Sequence, residues 1–195
     1  MTWLKGHWQL LLLTAAVVLL WDTPVLVPLK ILVVLFHEIS HGVAAVLTGG
    51  EIVSLTVSPD QGGLAVTRGG SRFWILTAGY LGSLLIGVGL LLGALRSRAD
   101  KALVAALGVV TLALTALYIR ELFAVLFCLG IGLSLLAISR FLPRTANDLV
   151  LRIIGLTSMI YVPRDIFSDT IDRAYLRSDA YMLAEYLGGT GQIWG

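Results

Sequence analysis

Three long stretches without a single charge constrain this chain more than anything else in it: Phe73 to Leu95, Ala102 to Ile119 and Leu122 to Ser139. Each is as long as the roughly 17–25 apolar residues that a helix needs to cross the hydrocarbon core of a bilayer. Only Arg120 and Glu121 separate the last two, which predicts a tight turn between two paired helices. Across all 195 residues, 57% are hydrophobic and 13% charged, with a mean hydropathy of +0.90. That is about half the charged fraction of an ordinary soluble domain. So much apolar surface cannot be hidden in one water-soluble core, so lipid must cover part of it. The net charge of +2 gives no reason to expect a nucleic-acid partner. A lone cysteine, Cys128, excludes an internal disulfide and a thiolate-rich metal site.

The N-terminal part is less regular. Trp8 to Trp21 is apolar but short for a span, and it reads as an uncleaved anchor or an interfacial helix. Pro24 and Pro28 interrupt helix geometry, and Ile31 to Leu47 is apolar again except for His37, Glu38, Ser40 and His41. Gly49 and Gly50 end that helix. Residues 51–67 then change period: Glu51 to Val57 alternates, Ser58-Pro59-Asp60-Gln61-Gly62-Gly63 is rich in turn formers, and Leu64 to Thr67 alternates again. This predicts a β-hairpin, whose unpaired edges must avoid lipid. Arg140 to Arg152 reads as a polar connection, Leu149 to Val162 as a last apolar segment ended by Pro163, and 164–195 as a polar tail. The expected architecture is one all-α, multi-pass membrane domain over residues 1–195, with about five or six transmembrane helices and the hairpin inserted after the second.

His37, Glu38 and His41 form a His-Glu-x-x-His pattern inside a hydrophobic helix. On an α-helix the two histidines lie about 40° apart around the axis and one turn removed, so both imidazoles can reach one cation. Glu38, rotated by about 100° from His37, can hold a water instead of a ligand position. That is the physical content of the motif in zinc hydrolases. An ionisable group at mid-membrane costs about 2.5–3.5 kcal/mol on insertion scales, and three within five residues need a compensating role. A catalytic zinc takes three protein ligands and leaves a position open. The chain has three histidines, and the remaining one, His7, lies near the N-terminus. Carboxylates are better candidates for the third ligand. Asp165, Asp169 and Asp172 share a helical face, with Asp169 and Arg173 placed as an i,i+4 pair. Asp179 is placed either to ligate or to cap a helix over 180–186.

These features together resemble the site-2 protease family of zinc intramembrane metalloproteases, in its small bacterial branch without a PDZ domain. The likeness runs from Phe36-His37-Glu38-Ile39-Ser40-His41-Gly42, through the glycine-bounded hairpin, to Ala78-Gly79-Tyr80-Leu81-Gly82-Ser83. That last segment is similar to the family's Gly-Pro-x-x-Asn motif, with Tyr80 for proline and Ser83 for asparagine. Ser178-Asp179-Ala180 resembles the aspartate motif, with Ala180 for the usual glycine. The resemblance implies a zinc endopeptidase of the cell membrane that acts on membrane-protein or peptide substrates. It implies that His37, His41 and Asp179 hold Zn2+ and that Glu38 is catalytic. The rival expectation is a non-proteolytic metal-binding membrane protein, a transporter or scaffold, because intramembrane His and Asp also mark ion pathways.

Overall fold

The computed structural model describes residues 2–195, with side chains from Trp8 onward, so His7 falls outside the described side chains. Eight helices and one hairpin follow in order. Helix α1 spans Thr2–Leu19 and α2 Val27–Leu47; strands β1 Glu51–Val57 and β2 Gly63–Arg68 come next. Then follow α3 Arg72–Arg96, α4 Asp100–Tyr118, α5 Leu122–Phe141, α6 Arg144–Phe167, α7 Asp179–Leu187 and the short α8 Gly191–Trp194. Segment 24–47, comprising a 3-10 turn and α2, together with α3, α4 and α5, gives four helical segments long and apolar enough to cross a membrane. The apolar part of α1, Trp8–Leu19, is shorter, and α6, whose apolar run is interrupted by Asp148 and Arg152, is not among the four. An expectation of five or six crossings therefore depends on these two.

Two of the boundaries that differ from the sequence reading involve a proline taken into a helix. Helix α2 begins at Val27, before Pro28. Proline in a first helical turn is harmless, because the N–H it lacks would have no partner there. Pro163 lies inside α6, which continues to Phe167 and passes into a wider π-type turn over Ser168–Asp172. Its neighbour Val162 is buried against Val33, Tyr80 and Ala180, and Tyr161 packs on Trp21, so side-chain packing holds the helix across the lost backbone bond. The expected polar connection over 140–152 is also largely helical: Pro143 precedes the first turn of α6, and Asp148 and Arg152 neutralise each other at 2.9 Å along it.

Helix α3 lies between α2 and α6 and packs on both, while α4 and α5 pair with each other across the Ile119–Glu121 turn. The buried Asp100 at the start of α4 is clasped by Arg144 at the start of α6. The hairpin lies on α2, with Leu55 and Val57 of β1 fully covered. Its register pairs Leu55 with Ala65 and Val57 with Gly63. Its turn is a three-residue loop: Ser58 N–H donates to the Gly62 carbonyl at 2.8 Å, and Gln61 takes a positive φ of 62°. That left-handed position usually goes to glycine.

Candidate metal centre

The site is built from α2, α3 and α7. Along α2, Glu38 and His41 are buried and His37 is partly covered. Helix α3 can approach these rings only because position 79 is glycine: a Cβ there would collide with the imidazoles of both His37 and His41. The His41 Nδ1–H donates to the Ile75 carbonyl on α3 at 2.7 Å. A carbonyl can only accept, so a proton sits on Nδ1 and Nε2 is the ring atom turned into the site.

Helix α7 delivers Asp179. Ser178 takes the capping role, its hydroxyl accepting from the Tyr181 N–H at 3.3 Å, which leaves the Asp179 carboxylate free to turn inward. Ala180 is completely buried among Val33, Tyr80 and Val162 and anchors this end of α7 beneath the site. One carboxylate oxygen, Oδ2 of Asp179, lies 2.8 Å from Nε2 of His37 and 3.1 Å from Nε2 of His41. Burial pushes the Asp179 carboxyl up, but the two imidazoles more than offset this and hold it at about 2, so it is ionised at neutral pH. One ligand atom from each of the three residues lies within 4.8 Å of the others, a grouping that could hold a metal ion. Hydrogen bonding between the rings and the carboxylate holds the three side chains together, and the tie from His41 to Ile75 is the kind of outer-shell contact that orients a metal-ligating histidine.

A cavity of about 300 Å³ opens over this group, lined among others by Glu38, Gly63 and Tyr80. Gly63 at the start of β2 sits directly on Glu38, where a Cβ would strike the carboxylate. The outer edge of the hairpin therefore forms one wall of the cavity. Residues 10–195 match the model of the peptidase M50B-like family. The chain belongs to that family. Membership makes this an M50-type metalloprotease fold embedded in the membrane, in agreement with the resemblance to site-2 proteases. No curated protein and no solved structure is significantly similar to it.

In this M50B-like chain the other carboxylates stand apart from the three-residue group. Asp169 accepts from the Tyr80 hydroxyl at 2.7 Å and from Arg173 at 3.0 Å, and Asp165 faces Arg173 at 3.8 Å. Both line the cavity without joining His37 and His41. Ser83 is fully buried, and its hydroxyl donates back to the Gly79 and Tyr80 carbonyls within α3. Cys128 is buried in α5. Sequence reasoning missed Tyr80, which it treated only as a departure from proline. Its ring meets His37 edge to face at 5.0 Å, and its hydroxyl links the site to Asp169. The available signal was its position: it follows Gly79, the residue that admits the histidines.

Proposed function

We propose that this chain is a zinc-dependent intramembrane endopeptidase, with His37, His41 and Asp179 as the metal ligands and Glu38 as the general base. One observation carries the reading: the Nε2 atoms of two histidines meet the same Asp179 oxygen, with a buried glutamate adjoining. Two imidazole nitrogens, which are borderline donors, and one carboxylate oxygen form a set that zinc accepts, and three protein ligands leave one position open. Bound there, zinc would supply Lewis acidity, acidifying water and polarising a carbonyl. Glu38 would take the proton from the attacking water and pass it to the leaving amine. It lies buried beneath Gly63 of β2 yet on the cavity wall, within reach of an attacking water.

The hairpin supports a role in holding an extended substrate. The Ser58–Gly62 bond makes Val57–Gly63 a non-hydrogen-bonded pair, and alternation then turns the backbone groups of Gly63 and Ala65 toward the outer edge of β2. That edge runs past Glu38. A substrate segment unwound from its own helix could add to it as a strand, which would expose its carbonyls to the site. The test is cleavage of a single-span peptide by purified protein, with and without a chelator, beside Glu38→Gln. Chelator-sensitive cleavage that Glu38→Gln abolishes while metal is retained is the expected result. Bound metal with no dependence on Glu38 would instead favour a transporter or scaffold, which needs ligands but no base.

A further inference from the structure

A second, larger cavity of about 640 Å³ adjoins the metal centre. Gln61, Tyr161, Asp165 and Arg173 line both, so one space continues into the other. In the second cavity two cations share one aromatic ring. Lys30 Nζ lies 4.8 Å, and the Arg164 guanidinium carbon 5.1 Å, from the centre of Trp21. Lys30 is only 7% exposed. Among the described residues no carboxylate forms an ion pair with Lys30 or Arg164. Asp165 on the same wall is turned to Arg173, Asp60 and Asp172 line the cavity without reaching either cation, and Asp22 is near enough to attract Lys30 but forms no ion pair with it. An ammonium held on a cavity wall without an ion-pair partner is incompletely compensated by the Trp21 face and the more distant Asp22. Two cations facing one cavity favour an anion there.

Its position says which anion. Lys30 precedes His37 by seven residues on α2, which puts the two on the same face of the helix, about 10.5 Å apart along the axis. An extended peptide advances about 3.3 Å per residue, so about three residues span that distance. The tip of the hairpin, at Gln61, borders both cavities, so a strand laid along β2 and past its start leads from one to the other. We propose that Lys30, Arg164 and Trp21 form a subsite for an acidic side chain of the substrate, about three residues from the scissile bond. The proposal rests on the peptidase reading above. A phospholipid phosphate shares the same chemistry, but nothing about it requires continuity with the metal centre.

The test uses single-span peptides carrying Asp, Asn or Lys in turn at each of about four positions on either side of the cut. Cleavage is followed by mass spectrometry, and binding to the Glu38→Gln protein by fluorescence anisotropy. Asp should be favoured over Asn by about tenfold at one position, in binding as well as in cleavage. Lys30→Met should remove that preference, and Arg164→Glu should shift it toward Lys. Because Arg164 is exposed, its variant tests the idea even if Lys30→Met fails to fold. Cleavage or binding indifferent to charge at every position would overturn the subsite and leave the peptidase reading intact. So would a preference unmoved by Arg164→Glu, or one replaced by a Lys30- and Arg164-dependent affinity for phosphatidylglycerol over phosphatidylcholine vesicles. Charge-selective binding without any cleavage would overturn the peptidase reading instead.

Discussion

Helix α2 and the α4–α5 pair are both apolar enough to cross a bilayer, yet they meet opposite surroundings. In segment 24–47, which contains α2, 67% of the most apolar window is covered by protein; in α4 and α5 the figure is 22%. The covered helix carries Lys30, His37, Glu38, Ser40 and His41. Between Ala102 and Ser139, the α4–α5 pair carries charge only at the Arg120–Glu121 turn. Its buried threonines, Thr111 and Thr115, donate to carbonyls one turn back in their own helix. The contrast shows where polar chemistry can sit in such a molecule. Ionisable groups persist at membrane depth only where neighbouring elements enclose them and supply partners, and lipid-facing helices keep their polar groups satisfied internally.

The largest effects should come from the enclosed helix. Glu38→Gln is nearly isosteric, so it should leave metal binding intact and lower kcat by about 10²–10⁴-fold, the usual contribution of a general base. Metal analysis beside single-span peptide cleavage checks both halves, and a variant with most of its activity would remove Glu38 from the chemistry. Asp179→Ala should weaken metal affinity by at least about a hundredfold, more than losing an outer-shell contact does. Asp165→Asn and Asp169→Asn, whose carboxylates face Arg173 and Tyr80, should keep stoichiometric metal. If either of them lost the metal while Asp179→Ala kept it, the ligand set would be wrong.

How much of this contrast could be read from sequence follows from the range of each interaction. The spans at Phe73–Leu95, Ala102–Ile119 and Leu122–Ser139 sit almost residue for residue within α3, α4 and α5, because lipid imposes a length and a composition that need no tertiary partner. The hairpin was legible for a similar reason, since alternation and turn residues are local signals. The two helices at the proline positions were harder. Pro28 is harmless only because it falls in a first turn, and Pro163 is tolerated because Tyr161 and Val162 are packed by distant segments. The site divides the same way. His37, Glu38 and His41 are one turn of one helix, so their convergence was visible in spacing. The choice among Asp165, Asp169 and Asp179 depends on how α7 returns to α2 over a separation of 142 residues, and spacing carries no information about that. Tyr80 and the Lys30–Trp21–Arg164 group are likewise products of packing between helices.

The smallest effects sharpen the comparison through two glycines. At Gly79 an added Cβ would meet the rings of His37 and His41, whereas at Gly130 on α5 nothing lies within 4 Å. Gly79→Ala must force α3 away from α2 or push the imidazoles off their common point. Overpacking of this kind costs about 1–3 kcal/mol, and here it should also reduce metal content. Gly130→Ala should cost nothing and could add about 0.5–1 kcal/mol, because alanine loses less backbone freedom than glycine in a helix. Denaturant midpoints in one detergent, measured with metal content, separate the two. Equal stability losses would mean that α5 is covered by something the chain does not itself provide. A Gly79→Ala protein with full metal and unchanged midpoint would mean that α3 does not press on the histidines, and the enclosed character of α2 would need another cause.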